Sequence, residues 1–150
     1  MLLSNTCIYG LRASVLLASK GGEKFVTIRE LSNELHISFH FLTKVLQLLT
    51  KSELLTSYKG PNGGVKLARP ASEITFMDIV VSIDGKNIIK ECALGLPGCG
   101  EIASCPLHDE WVAMKGNILK MMHSVSLEQL AQSKNPGQSN VLADLKSLTA

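Results

Sequence analysis

The sequence predicts a mainly α-helical protein in which one short β-hairpin interrupts a series of helices. Apolar residues recur at helical spacing in most segments, whereas residues 54–68 have the character of two strands around a glycine-rich turn. Two short helices joined by a tight turn come directly before this hairpin, and a long helix follows over residues 106–123. This order of elements predicts a winged helix-turn-helix domain followed by a long helix suited to dimerisation.

The first two helices have clear boundaries in the sequence. A helix over residues 6–19 presents an apolar face at helical spacing and ends at Gly21-Gly22. Thr27-Ile-Arg-Glu30 matches a capping box. It predicts a second helix whose buried side carries Leu31 and Leu35.

The third helix, over residues 39–50, follows Ser38, a residue type favoured as N-cap. Its predicted buried stripe is Phe41, Leu42, Val45, Leu46 and Leu49. The second helix of a helix-turn-helix enters the DNA major groove, so outward residues near its start would lie nearest the bases. Those residues are Ser38, His40, Thr43 and Lys44. Helix-turn-helix pairs also occur as plain packing units, and lysines on a helix are usually solvated.

The hairpin has the features of a wing. Two strand-like runs, residues 54–59 and 65–68, flank the turn Gly60-Pro-Asn-Gly-Gly64. In this position the turn is the wing tip, and basic residues around it would meet phosphate or a minor groove. The wing therefore adds Lys51, Lys59, Gly60, Asn62 and Lys66 to the predicted DNA-binding residues.

The charge distribution agrees with this assignment. Residues 1–70 hold nine Lys and Arg against four Asp and Glu, a balance of +5, while residues 71–150 hold six against nine, a balance of −3. A basic amino-terminal part suggests polyanion binding, and an acidic part that carries the cysteines suggests sensing. Chance variation could also produce this split.

The sequence also argues against several classes of protein. It contains no apolar run of about 18 residues and no secretion signal, so we expect a cytoplasmic protein without a membrane partner. In that reducing compartment, cysteines serve metal or redox roles more often than structural disulfides. No nucleotide-binding loop and no Ser/His/Asp arrangement is visible, so we expect neither an enzyme nor a small-molecule substrate.

The second half of the chain begins with a short helix opened by Thr75-Phe-Met-Asp78 and closed at Asp84-Gly85. The long helix over residues 106–123 then has a strong apolar stripe, which must be buried. A partner chain is the natural cover for it, and packing within one chain is the alternative. The stripe consists of Trp111, Met114, Ile118, Met121, Met122 and Val125.

The end of the chain has weaker signals. Ser126-Leu-Glu-Gln129 caps a last short helix, and residues 132–140 are polar with a proline and a glycine. We therefore divide the chain into a winged helix-turn-helix domain (1–70), a cluster-binding loop with the dimerisation helix (71–131) and a flexible tail (132–150).

Three of the four cysteines lie within fourteen residues, spaced C-x6-C-x5-C, and a histidine follows three residues later. These residues are Cys92, Cys99, Cys105 and His108. Glycines and a proline separate the cysteines and no apolar period runs through them, so the segment is a loop that can gather thiolates around one centre. Thiolates select zinc, copper(I) or iron–sulfur clusters, and the wide spacing favours a cluster over zinc. Cysteines without a metal, free or disulfide-linked, are the plain alternative.

The start of the long helix bears on one of these cysteines. Ser104 or Cys105 can act as N-cap, and Pro106 suits the first helical position. This would place Cys105 at the positive end of the helix, where a thiolate is favoured.

Taken together, three features resemble the winged-helix iron–sulfur regulators that include IscR, NsrR and RirA. They are the start Met1-Leu-Leu-Ser with Tyr9, the wing Lys59-Gly-Pro-Asn-Gly-Gly, and the cysteines with Cys105-Pro-Leu-His108. The resemblance covers about residues 1–131. It implies a homodimeric bacterial transcription regulator, usually a repressor, that binds operator DNA and senses redox state, nitric oxide or iron through a cluster.

The resemblance also implies a ligand set. The three cysteines correspond to the cluster ligands, and His108 stands where IscR-like members have a ligating histidine, which favours [2Fe–2S] over [4Fe–4S]. The first gap is six residues rather than the usual five, and Ile8 occupies the position of an acidic ligand in NsrR-like members. Its neighbour Cys7 is a minority candidate. A cluster-free thiol or zinc regulator remains an alternative, and a small iron–sulfur electron carrier is a more distant one.

Overall fold

A computed structural model describes residues 2–89, 92, 94, 95 and 105–132 of the chain. Its α-helices and strands, in order along the chain, are α1 (Asn5–Ser19), α2 (Ile28–Leu35), α3 (Phe39–Lys51), β1 (Leu55–Tyr58), β2 (Gly64–Leu67), α4 (Phe76–Asp84), α5 (His108–Ser124) and α6 (Leu127–Gln132). Short 3-10 helices occupy Ala71–Glu73 and Lys86–Ile89. The predicted order of helices, hairpin and long helix is confirmed.

Helix α1 lies at the centre of the molecule. Its N-cap Ser4 accepts a hydrogen bond from the Cys7 backbone N–H at 3.0 Å. Helices α3, α4 and α6 pack around α1. The core therefore includes side chains from well beyond the hairpin, and those with almost no solvent exposure are Ile74, Ile79, Val80, Met122 and Leu127. Burial of this kind is the main contribution to the stability of the fold.

The helix-turn-helix forms as expected, with one difference at its start. The Thr27 hydroxyl accepts a hydrogen bond from the Glu30 backbone N–H at 3.1 Å, which caps α2. The Glu30 carboxylate does not return the bond as a capping box requires. It accepts instead from Lys20 Nζ at 2.9 Å, because the end of α1 brings that cation close.

The wing is an antiparallel pair in which Leu55 faces Leu67 and Tyr58 faces Gly64. A third extended segment supports it, because the backbone N–H and carbonyl of Val26 each bond to Val65 at 2.9 Å. This close approach explains the glycine at position 64, where a Cβ would lie 2.1 Å from the Val26 carbonyl oxygen. The hairpin is therefore tied to the helical core along one edge.

Helix α4 begins with the predicted capping box. The Thr75 hydroxyl and the Asp78 carboxylate each accept a bond from the other residue's backbone N–H, at 3.2 and 2.8 Å. Gly85 follows its last turn. At α6 the predicted cap also forms, since Ser126 and Gln129 exchange bonds of 3.2 and 2.9 Å.

Helix α5 corrects one expectation. It begins at His108, because Cys105, Pro106 and Leu107 form a turn in which the His108 N–H donates to the Cys105 carbonyl at 3.0 Å. Cys105 is therefore outside the helix and is not its N-cap. The predicted apolar stripe is only partly buried within the single chain, and its burial against a partner chain stays a prediction. Met122 is buried, Met114 and Met121 are 45% and 52% exposed, and the rest of the stripe is half-buried.

Among the helices of the described ranges, none combines the length and the apolar character that crossing a bilayer requires.

Candidate functional site

The outward face of α3 carries the residues that the sequence predicts to contact DNA. Ser38, His40 and Lys44 are exposed, and Thr43 is half-buried. The Thr43 hydroxyl donates to the Phe39 carbonyl at 2.7 Å, so its proton is used within the helix while its oxygen can still accept.

One residue of the predicted α3 stripe is not buried. Phe41 is 37% exposed and makes an edge-to-face contact with Tyr9 of α1, with ring centroids 5.5 Å apart. Leu42, Val45, Leu46 and Leu49 are buried as expected. The helix is amphipathic, but its buried side is narrower than the apolar pattern indicates, and Phe41 lies at its margin.

The wing tip is held by its own backbone. The Gly63 N–H donates to the Gly60 carbonyl at 2.9 Å, which closes the turn. Lys59, Gly60 and Asn62 are exposed there. Lys66 lies on the strand behind the tip, with its Nζ 5.0 Å from the centroid of the Phe25 ring. The tip itself is therefore open to a partner.

Helix α3 and the wing form the two sides of a groove of about 660 Å³. Lys51 and Lys59, both predicted from the sequence, line it. So do three residues that the sequence reasoning did not assign to DNA: Arg29, Gln47 and Tyr58. Arg29 and Tyr58 lie in other elements and reach the groove only through the packing of α2 and the hairpin, so no local sequence pattern identifies them.

Of the predicted metal ligands, Cys92, Cys105 and His108 belong to the described residues and Cys99 lies outside them. Cys105 and His108 share the turn that precedes α5, and Cys92 begins another turn, in which its carbonyl accepts from Gly95 N–H at 3.0 Å. Within the described ranges, no three His, Cys, Asp or Glu side chains come together as a metal site. The four-residue ligand set therefore stays a prediction.

Cys7, the minority candidate for a ligand, lies in the first turn of α1 and is fully buried on the core side of this helix. Burial raises the pKa of its thiol to about 12, and the nearby negative charge and hydrogen bond of Asp84 add to this increase. A thiol in this state is a poor source of the thiolate that metals bind. Asp84 itself accepts hydrogen bonds from the Ser4 backbone N–H at 2.8 Å and from the Ser4 hydroxyl.

Comparisons with known proteins agree with the fold. The model of a family named Rrf2, described as an iron-dependent transcriptional regulator, matches residues 3–133. The chain is 30% identical over 127 residues to the HTH-type transcriptional regulator NsrR of Oceanobacillus iheyensis, covering 84% of this chain and 86% of that protein. It is 28% identical over 134 residues to the HTH-type transcriptional regulator IscR of Photorhabdus laumondii, covering 89% and 81%.

Among solved structures, CymR, the global cysteine regulator of B. subtilis, superposes with a TM-score of 0.75. The alignment covers 89% of this chain and 98% of CymR at 23% sequence identity, so the two proteins share a fold.

Proposed function

The chain belongs to the Rrf2 family of transcriptional regulators, and we propose that it is a homodimeric repressor of this family whose affinity for operator DNA is controlled by an iron–sulfur cluster. The family confirms the resemblance expected from the sequence, and the chain is a regulator rather than an enzyme. We place its action in the cytoplasm, where bacterial DNA lies. Redox state, nitric oxide or iron supply would be its signal.

The observation that supports DNA binding most directly is the joint presentation of α3 and the wing tip on one side of the molecule. Exposed polar residues near the start of α3 can reach base edges in a major groove. Lys59 and Asn62 at the wing tip can reach the adjacent minor groove or its phosphates. The proposed DNA-binding residues are Ser38, His40, Thr43, Lys44, Lys51, Lys59, Gly60 and Asn62.

The proposal of a homodimer rests on α5. Leu107, Met114 and Met121 are spaced seven residues apart, and each is 45–52% exposed in the single chain. Seven-residue spacing places Met114 and Met121 on one face of the helix, with Leu107 at its N-cap, and this arrangement suits helix pairing. A second copy would cover this face and produce the twofold symmetry that palindromic operators require.

The donor set fits an iron–sulfur cluster, because thiolates are its usual protein ligands and imidazole can replace them. We propose that Cys92, Cys99 and Cys105 hold it and that His108 is the fourth ligand, an arrangement that favours [2Fe–2S]. When bound, such a cluster provides a centre that oxidants and nitric oxide attack. Ligation at both ends of the segment 92–105 would fix the connection between α4 and α5.

This connection can control DNA binding because of what its two ends join. Helix α4 packs against α1 and α3, while α5 carries the proposed dimer face. Fixing or releasing the segment would alter how far apart a dimer holds its two recognition helices. By linkage, operator affinity must then differ between the two states, typically by about 1–3 kcal/mol.

A second candidate is a regulator without a cluster, which responds to redox state through its own cysteine thiols. One observation favours it: the fold is shared with CymR, described as the global cysteine regulator of B. subtilis. In that case Cys92 and Cys105 would act through oxidation rather than ligation.

Spectroscopy separates the two candidates. Protein purified without oxygen is expected to be brown and to contain iron and sulfide, and Cys99→Ala to be a colourless protein of unchanged fold. Cys7→Ala is the matched control and keeps the colour, because Cys7 is buried in the core. A colourless wild-type protein that binds its operator fully would exclude the cluster.

DNA binding is tested with duplexes selected from a random pool and measured by fluorescence anisotropy at several salt concentrations. Removing one phosphate contact lowers the salt slope by about 1, which is expected for Lys59→Ala. Lys86→Ala removes the same charge from an exposed position outside α3 and the wing, and is expected to leave the slope unchanged. A Lys59→Ala slope equal to that of the wild type would remove Lys59 from the interface.

A further inference from the structure

The groove between α3 and the wing has an unusual balance of charge. Among the residues that the structure describes, its lining includes three cationic side chains and no carboxylate, and the cations are Arg29, Lys51 and Lys59. Much of the remaining lining is apolar, including Ile28, Phe39, Leu46 and Val65. A groove that offers positive charge over apolar walls suits a ligand that alternates anionic groups with apolar carbon.

The occupant follows from the position of the groove. If α3 enters a major groove and the wing enters the next minor groove, one sugar–phosphate strand separates them, because every major groove of B-DNA adjoins a minor groove across a strand. The space between α3 and the wing lies where that strand would pass through the interface. Phosphates would face the cations, and deoxyribose would face the apolar wall.

Among the three cationic residues of the groove, Arg29 is preorganised to bind this strand. It lies in the first turn of α2, and its guanidinium carbon is 5.6 Å from the centroid of the Phe39 ring. Stacking on an aromatic face restrains the planar guanidinium group. Less conformational entropy is therefore lost when this group binds a phosphate through two hydrogen bonds. Phe39 is 40% exposed at the start of α3, so the pair is open to solvent.

Among the described residues, no ion pair involves the positive charge of Arg29. The neighbouring carboxylates of α2 are paired with Lys20, whose Nζ lies 2.9 Å from Glu30 and 2.6 Å from Glu34. Lys20 thus offsets one of these two negative charges and holds both carboxylates away from Arg29, and the positive charge of the groove comes from its own lining.

We propose that the groove between α3 and the wing holds the phosphodiester backbone that separates the two DNA grooves, and that Arg29, oriented by Phe39, binds one of its phosphates. This inference rests on the proposed DNA-binding function and adds a contact to it. Because the contact is to the backbone, it raises affinity for all sequences and provides register rather than base preference.

The test compares Arg29→Gln, Arg29→Lys and Phe39→Leu by anisotropy, on the selected duplex and on an unrelated duplex, across a salt series. Arg29→Gln is expected to weaken both complexes by about tenfold and to lower the salt slope by about 1. Arg29→Lys and Phe39→Leu keep the positive charge at position 29, but they lose the stacking of a guanidinium group on the aromatic ring of Phe39. They are expected to retain the slope and to weaken both complexes by a few-fold.

Arg69→Gln is the matched control, because Arg69 is exposed outside the groove and lies 4.0 Å from Asp78. It is expected to change neither affinity nor slope, and thermal melts monitor the folding of all variants.

Three outcomes would overturn the inference. If Arg29→Gln keeps the wild-type slope and affinity while Lys59→Ala still reduces the slope, the strand does not contact Arg29 although the protein binds DNA. If Arg29→Gln weakens only the selected duplex, Arg29 reads a base. If the wild-type protein binds no duplex at all, the proposed function itself fails.

Discussion

At the scale of single residues, Cys7 shows how position determines the chemistry of a side chain. It has the same thiol group as Cys92 and Cys105, yet it is fully buried on the core side of α1. Burial and the adjacent Asp84 raise its pKa to about 12, so it remains protonated. It contributes apolar packing, and a role in ligation would require a thiolate that its surroundings disfavour.

This state of Cys7 has a consequence at high pH. Its folded pKa is above the ordinary value of 9.0, so the folded state keeps a proton that the unfolded state loses, and stability falls as the pH rises from about 9 towards 12. From pH 8 to 10.5 we expect a loss of about 2 kcal/mol from this group. Urea unfolding of the wild type and of Cys7→Ala at several pH values separates the contribution of Cys7 from those of the lysines and tyrosines, which titrate in the same range. Parallel pH curves for the two proteins would contradict the assignment.

At the scale of elements, the turn of the helix-turn-helix depends on two residues. The buried Ser32 hydroxyl donates to the Ile37 carbonyl at 2.6 Å, which satisfies a backbone group that the turn would otherwise leave unpaired. His36 closes α2 in the left-handed region, with φ of 51°. The first residue stabilises the turn, and the second accepts a backbone conformation that glycine adopts more easily.

Removing the buried hydroxyl is expected to destabilise the turn. Ser32→Ala leaves the Ile37 carbonyl without its bond, so we expect a loss of about 1–3 kcal/mol in the free energy of unfolding. Asn33→Ala changes the exposed neighbour and is expected to have a small effect. Equal stabilities of the two variants would mean that water replaces the Ser32 bond.

Relieving the left-handed conformation is expected to act in the opposite direction. His36→Gly should raise the free energy of unfolding by up to about 1 kcal/mol, because glycine adopts positive φ without steric cost. His36→Ala removes the imidazole but keeps the Cβ, so it should give no gain. Chemical denaturation of both variants measures the difference, and a stabilised His36→Ala would point to the imidazole instead of the backbone.

At the scale of the whole molecule, one helix is only partly covered by the rest of the chain. Helices α1, α3, α4 and α6 share one continuous core, whereas α5 contributes Met122 to it and leaves several large apolar side chains exposed. Exposed apolar patches of this kind mark sites of association. The apolar stripe of the sequence thus divides between the core of the chain and an exposed face, which we propose that a second copy covers.

The proposed dimer face is testable with one charge. Met114→Glu is expected to weaken self-association on the order of 100-fold, because burying an unpaired charge costs several kcal/mol. Asn117→Glu introduces the same charge at an exposed polar position of α5 and is the control. Sedimentation velocity over a concentration series measures both. If Met114→Glu remains as dimeric as the control, the partner does not cover this face.

Local patterns were sufficient for most of the fold. The caps at Thr75 and Ser126, the glycines that end α1 and the wing turn depend on neighbours within a few residues, and the structure contains them. One error arose where a distant residue competes for a group, and another where a local turn replaces the first turn of a helix. Lys20 takes the Glu30 carboxylate away from the cap of α2, and the turn at Cys105 delays the start of α5 until His108.

The amino-acid sequence by itself determined the helical class, the wing, the family and the set of thiols, because each follows from residue type and spacing along the chain. Only the tertiary structure decided which residues share a surface. Packing brings Arg29 beside Phe39 and both into the groove with Lys59, and it buries Cys7 while leaving Met114 exposed. The physical reason is that burial and charge pairing depend on distances between elements, and spacing along a sequence does not specify those distances.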